Sequence, residues 1–356
     1  MPVLGSANPP PSRCGEAFDD FMKVLVTGSA GFIGFHTARR LLAAGHEVAG
    51  IDAMVPYYDV RLKQARHAAL AREPGFTAHV FDLTDRAALD RVLVGATPEV
   101  VVHLAAQAGV RYALEHPETY IHANVVGTYT LLEACKARPV RHLLMASTSS
   151  AYGANTTMPF RETDTVATPL NIYAATKVAC EQIGHSYASL WRQPITMFRF
   201  FTVYGPWGRP DMAFFKFTDA ILNGRTIDIY NHGRMERDFT YVDDLVEAIL
   251  RLVDCVPEAG AAIADCDSVS PVAPFRIVNI GNAQPVQLLD FIAEIERACG
   301  RVAIRNLMPM QPGEVLKTWA DTALLQALTG YQPSTDVRAG VAAFVAWFRE
   351  YYGVTA

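Results

Sequence analysis

An α/β fold, with a parallel sheet covered by helices on both faces and a smaller C-terminal part, follows from three observations. Short β-rich runs alternate with longer helical patterns from Met22 to Phe200. The runs are almost continuously apolar, as strands buried on both faces must be. After Phe201 the rhythm gives way to Tyr204-Gly205-Pro206-Trp207-Gly208-Arg209-Pro210, rich in glycine, proline and aromatics. A doubly wound, Rossmann-type sheet whose carboxyl edge is capped by the C-terminal part fits all three.

The elements follow in order. Val24–Thr27 reads as a strand, Gly31–Ala44 as a helix and Glu47–Asp52 as a second strand. Strands are then expected at His79–Phe81 and Val100–Leu104, a helix at Asn124–Ala137 and a strand at His142–Ala146. Ala174–Trp191 reads as a helix and Ile195–Phe200 as a strand. The low-complexity stretch Val256–Pro274 is expected to be a surface loop.

The 356 residues suit one large or two intertwined domains, and 51% hydrophobic against 19% charged residues excludes a disordered chain. A net charge of -5 gives no footprint for nucleic acid or an anionic membrane surface. No apolar run approaches the about 18 residues of a membrane span. Residues 1–21 lack the apolar core of a secretory signal and read as a poorly ordered extension, with Met22 as an alternative start. Six scattered cysteines show no metal-ligand spacing and read as reduced thiols of a cytoplasmic protein.

Chemistry enters with Gly28-Ser29-Ala30-Gly31-Phe32-Ile33-Gly34, which follows a strand and opens a helix. Its glycines serve a tight turn, close approach of a pyrophosphate and tight helix–strand packing, and the helix N-terminus offers free N–H groups. Asp52 ends the second strand 24 residues after Gly28, placed to accept the adenosine ribose hydroxyls. A carboxylate there repels a 2′-phosphate, and no arginine follows until Arg61, so NAD is favoured over NADP. Asp82 is placed for the adenine amine; Leu83 and Ala105-Ala106-Gln107 complete the cofactor set.

Tyr173 and Lys177 stand at i and i+4, hence on one helical face. A nearby ammonium favours the phenolate, and the tyrosine then serves as general acid/base on a substrate hydroxyl. The hydroxyl cluster Ser147-Thr148-Ser149-Ser150 ends an earlier strand.

These motifs resemble the extended short-chain dehydrogenase/reductases that act on nucleotide sugars. Val110-Arg111-Tyr112, the run Arg199–Met212, Tyr230-Asn231-His232-Gly233 with Arg237-Asp238-Phe239-Thr240-Tyr241, and Leu307–Glu314 narrow the resemblance to the UDP-glucuronate 4-epimerases, from Met22 to Tyr352. The resemblance implies that Thr148 and Tyr173 flank the sugar C4 hydroxyl and that Lys177 binds the nicotinamide ribose. It implies that Arg209 and Arg237 hold the UDP phosphates and Glu314 the uridine ribose. Glu314 stands where the family commonly has Asp, one methylene longer. It further implies an NAD-binding domain over residues 22–199, with returns around 236–253 and 276–282, and a UDP-sugar-binding part over 200–352. A homodimer joined by the helices around 124–137 and 174–191 is expected.

Related dehydratases carry an Asp-Glu pair after the catalytic Thr, and related decarboxylases tend to have Glu at the second of those positions. Here Ser149 and Ser150 stand instead, which leaves re-reduction of a 4-keto sugar, with tightly bound NAD regenerated in place. A 4-keto glucuronate is a β-keto acid, so its carboxylate must be restrained from decarboxylating. Thr148, Ser149, Ser150 and Thr202 are hydroxyl candidates for that restraint, with Arg111 as a charged neighbour. The alternatives are 4-epimerisation of UDP-glucose or its N-acetyl relative, and a non-catalytic NAD-binding regulator, in which a broken Thr/Tyr/Lys set is expected.

Overall fold

The computed structural model describes residues 21–310 and 316–354. The expected extension therefore lies, except for Phe21, outside the described residues. Five strands alternate with helices first: β1 Lys23–Thr27, β2 Glu47–Asp52, β3 Phe76–Val80, β4 Val100–His103 and β5 His142–Ala146. Between them run α1 Phe32–Ala43, α2 Val60–Leu70, α3 Arg86–Ala96, α4 Tyr112–Glu115, α5 Pro117–Tyr120 and α6 Gly127–Ala137. Then come α7 Ile172–Trp191, β6 Ile195–Phe200, β7 Thr202–Tyr204, α8 Ala213–Leu222, β8 Thr226–Ile229, β9 Glu236–Tyr241 and α9 Val242–Leu252. The chain closes with β10 Phe275–Ile280, β11 Pro285–Gln287, α10 Leu288–Cys299, β12 Ile304–Leu307, β13 Lys317–Thr318, α11 Ala323–Thr329 and α12 Val337–Tyr352.

Among the described residues the main sheet has seven strands in the order β10-β6-β5-β4-β1-β2-β3. Every neighbouring pair in it is parallel. Alternation along each strand sends its side chains to two cores. Val24, Val26, Val100, Val102 and Leu144 meet α1 and α9 residues such as Phe35, Leu41, Leu245 and Ile249. Leu25, Val101, Leu143 and Met145 meet Leu131, Leu132, Cys180 and Ala188 of α6 and α7. Burying each such Val or Leu contributes roughly 1.5–3 kcal/mol, which explains why these strands read as unbroken apolar runs.

The order reverses direction between β1 and β4, and a crevice opens there at the strands' carboxyl ends. The C-terminal part stands over it. Strands β7, β9, β11 and β13 form a small mixed sheet, and β8 pairs with β12. A third core joins Phe214, Phe215, Phe239, Phe291, Phe344 and Phe348. Of the expected returns to the main layer, β10 joins the seven-stranded sheet and α9 packs against α1, whereas β9 belongs to the small sheet.

Other expectations need correction. Strand β3 starts three residues before His79; as an exposed edge strand it has no apolar run to mark its start. The helix expected from Asn124 begins earlier, because the chain is helical from Pro117 and passes through a wider i→i+5 turn over Ile121–Val126. Segment 256–274 has no helix or strand, but it is pinned by Asp267, whose carboxylate accepts from Arg276 Nε and Nη2 at 2.9 and 3.0 Å. Cys135, Cys180, Cys266 and Cys299 are free thiols, whereas Cys255 is disulfide-bonded, contrary to the reading of all six as reduced.

Candidate active site

The glycine turn is held by β2: the Gly28 and Ser29 N–H groups both donate to the Ile51 carbonyl, at 2.7 and 3.2 Å. Gly28 adopts φ +74°, and a Cβ on Gly34 would lie 2.1 Å from the Gly28 oxygen, so a side chain at either position would displace helix from turn. Helix α1 starts with no side-chain cap and no acid in its first turn, which leaves its N-terminal donors for an anion. Asp52 is buried beside them. Its two oxygens accept from Ala30 N at 3.1 Å and Met54 N at 2.8 Å, so the carboxylate shapes the turn while still facing the cleft.

One cleft at the β1/β4 reversal is lined by Gly28, Gly31, Phe32, Ile33, Gly34, Asp52, Asp82, Leu83, Ala105, Ala106 and Gln107. The same cleft is lined by Thr148, Tyr173, Lys177 and Arg209. Asp82 is oriented by the Thr84 N–H and hydroxyl, at 2.9 and 2.7 Å. Buried Asn124 clamps the Gln107 backbone, accepting from its N–H at 2.8 Å and donating to its carbonyl at 3.0 Å. Below, neutral His103 bridges Thr27 and Thr128 at 2.7 and 3.0 Å; burial holds its pKa down to about 3.

Helix α7 delivers Tyr173 and Lys177 because Asn171 caps its start, accepting from Ala174 N at 2.8 Å. Thr148 ends the β5 segment and caps the short turn Ser149–Tyr152 by accepting from Ser150 N at 3.2 Å. Burial pushes the Tyr173 phenol above its ordinary pKa, against a hydrogen bond with Thr148 and the charge of Arg209, which both act to lower it. Lys177 lines the same cleft, one helical turn along α7 from Tyr173. Lys177 Nζ donates to the Ala146 carbonyl at 2.9 Å, and burial lowers its pKa. Arg209, brought in from the C-terminal part by the fold, is a cation that acts on Tyr173.

Arg209 is itself gripped by Asp211 through Nε at 3.0 Å and Nη2 at 2.6 Å, and it donates to the Ala108 carbonyl at 3.3 Å. Other expected residues do not line this cleft. Ser149 and Ser150 lie on the short turn, Thr202 opens β7, and Arg237 on β9 donates to the Glu236 carbonyl. Arg111 stacks over the Tyr230 ring at 4.4 Å. Glu314 lies outside the described residues. Among the residues missed in the sequence that line the cleft are Tyr57, Tyr58 and Lys63. Arg61, the cation weighed in the cofactor argument, is exposed and turned to Asp59 at 2.6 Å; Lys63 faces the cleft near Asp52 instead. The Tyr57-Tyr58-Asp59 turn gives no periodic signal that would point Lys63 inward.

Among the described residues no cluster of three potential metal ligands occurs, and no helix is long and apolar enough to cross a membrane. Residues 24–263 match the model of the NAD dependent epimerase/dehydratase family. The chain is 57% identical to a probable UDP-glucuronate 4-epimerase of Rhizobium meliloti (strain 1021), over 93% of this chain and 98% of that one. It is 43% identical to UDP-glucuronate 4-epimerase 3 of Arabidopsis thaliana, over 92% of this chain and 77% of that protein. It also resembles the crystal structure of a Bacillus cereus UDP-glucuronic acid 4-epimerase in complex with UDP-glucuronic acid and NAD. That match has 32% identity and a TM-score of 0.82, covering 93% of this chain and 100% of that one.

Proposed function

The chain belongs to the NAD dependent epimerase/dehydratase family, and from that premise we propose that it interconverts UDP-glucuronate and UDP-galacturonate by inversion at C4. The observation that carries the reading is the meeting of Thr148, Tyr173 and Lys177 in one cleft with the glycine turn, with no carboxylate following Thr148. Among the described residues the carboxylates lining that cleft are Asp52 and Asp82, on the β2 and β3 side, away from β5 and Thr148. Neither is placed to drive elimination.

The residues fit NAD. The Gly28 turn and the uncapped α1 N-terminus suit its pyrophosphate, Asp52 and Lys63 the adenosine ribose, Asp82 the adenine, and Lys177 the nicotinamide ribose. When bound, NAD supplies a hydride acceptor and donor for C4. Tyr173 takes the proton of the C4 hydroxyl and later returns it, while Thr148 hydrogen-bonds the phenol. Arg209 stabilises the phenolate electrostatically. Arg209 and Arg237 hold the diphosphate, about which the keto sugar turns to present its other face. Thr202, Ser149 and Ser150 keep the carboxylate out of the orientation that loses carbon dioxide, with Arg111 as a charged neighbour.

A cytoplasmic homodimer belongs to the same reading. Val126 and Tyr129, in the helical run 117–137, and Ile172, Leu190 and Trp191 on α7 expose the apolar surface such a pairing would cover. Incubating the protein with NAD and, separately, UDP-glucuronate, UDP-glucose and UDP-N-acetylglucosamine, then identifying the sugars, tests the function. UDP-galacturonate as the predominant product is expected; conversion of a neutral UDP-hexose alone would move the assignment to that substrate.

A further inference from the structure

Arg66 is fully buried and, among the described residues, has no carboxylate partner. An unpaired buried cation costs several kcal/mol unless hydrogen bonds replace its water. Four acceptors do so here. Nη1 donates to the Ala30 carbonyl at 3.0 Å and to Tyr58 Oη at 2.8 Å, and Nη2 to the carbonyls of Trp207 at 2.5 Å and Gly208 at 3.3 Å. Its remaining donor, Nε, has no partner among the described residues.

Tyr58 lies in the loop just before α2, and the three carbonyl acceptors belong to two loops far apart in sequence. Ala30 lies inside the glycine turn, and its N–H is already held by Asp52. Trp207 and Gly208 immediately precede Arg209, and Trp207 adopts φ +61°, a backbone conformation that needs external support. A second tie runs the same way: His36 of α1 bonds the Pro206 carbonyl at 2.9 Å. A tilt of the Trp207-Gly208 peptides would swing the guanidinium that follows.

We infer that Arg66 is a positioning residue that fixes the Trp207–Arg209 turn against the dinucleotide loop. It thereby sets the distance between the cofactor site and the cation that receives a nucleoside diphosphate. The inference deepens the proposed function and rests on its reading of Arg209 as a phosphate ligand. A guanidinium is needed because it spans both loops; a lysine ammonium reaches one or the other.

The test is the affinity of the NAD-loaded protein for UDP, measured by calorimetry for wild type, Arg66→Met, Arg66→Lys, Arg209→Met and the Arg66→Met/Arg209→Met pair. Arg66→Met is expected to weaken UDP binding roughly ten- to hundredfold, the scale of a lost buried charged hydrogen-bond set. In the Arg209→Met background the same change should have a much smaller effect, a non-additivity that a merely structural role does not produce. If Arg66→Met does not fold, Arg66→Lys carries the test, and it should also bind UDP more weakly while retaining its secondary structure. Wild-type affinity in either folded Arg66 variant, beside weakened binding in Arg209→Met, would overturn the inference and leave the function standing. Unchanged affinity in Arg209→Met would instead overturn the phosphate role of Arg209, and the inference with it.

Discussion

Ser147 donates its hydroxyl to the Glu181 carboxylate at 2.5 Å, tying the residue before Thr148 to the helix that carries Tyr173 and Lys177. Glu181 lies one turn beyond Lys177 and receives a fork from buried Arg199, with Nε at 3.0 Å and Nη2 at 2.8 Å. Both members of this ion pair are almost wholly buried. Glu181→Ala leaves Arg199 without its counterion, so unfolding by denaturant should show a loss of about 3–5 kcal/mol. Glu181→Gln, whose one amide oxygen can still accept from Ser147 and Arg199 Nε, should lose less. Equal stability of wild type and the alanine variant would remove this tie from the account.

Tyr173→Phe keeps the ring and deletes the proton carrier. Turnover should fall by ~10²–10⁴, the usual weight of a general acid/base, with UDP affinity nearly unchanged. Calorimetry with UDP beside steady-state rates separates the two. Parallel losses of binding and turnover would make Tyr173 a packing residue.

Thr202 lies between Phe200 and Val203, which both line the cleft. It begins β7 in register with Phe239 of β9, so Val at this position keeps the strand's shape while deleting the hydroxyl. Thr202→Val should raise the fraction of decarboxylated, pentose-containing UDP-sugar among the products. A product ratio equal to that of wild type would reassign the carboxylate restraint to Ser149 or Ser150.

Buried Glu162 accepts from Asn279 N at 2.9 Å, and burial pushes its pKa from 4.5 up to about 7. The folded state therefore keeps this proton to higher pH than the unfolded chain. Its stabilising contribution is complete below the unfolded value, declines as pH rises, and is lost above about 7. Glu162→Gln should remove a decline on the order of 3 kcal/mol across that window. Asp238, raised to about 6 by burial, keeps a slope of the same sign in both proteins. Unfolding curves taken at several pH values should converge at the acid end and separate toward neutral; a constant offset between them would contradict this.

Much of the site is legible in the sequence because its chemistry demands fixed local spacing. Gly28, Gly31 and Gly34 are set by one strand-to-helix turn, and Tyr173 with Lys177 by one helical turn. What escapes depends on tertiary placement. Lys63 lines the cleft beside Tyr57 and Tyr58 of the loop before α2, and α2 is too polar to show which face is buried. The partner of Lys177 is a main-chain carbonyl on β5, which no side-chain pattern encodes. In the fold, buried strands such as Val100–His103 declare themselves through apolar continuity, whereas exposed β3 does not. The return to the NAD-binding domain expected around 236–253 does not hold for β9, because its membership of the small sheet follows from pairings with β7, β11 and β13 that lie far away in sequence.

The central claim is that hydrogen leaves and returns to the same sugar carbon while Tyr173 handles the hydroxyl proton. UDP-glucuronate carrying deuterium at C4, incubated in ordinary water with the NAD-loaded protein, tests it most directly by mass spectrometry and NMR of the product. The account predicts UDP-galacturonate that retains deuterium at C4, with no reduced cofactor accumulating. Product with solvent hydrogen at C4, or reduced cofactor formed mole for mole with sugar consumed, would contradict it.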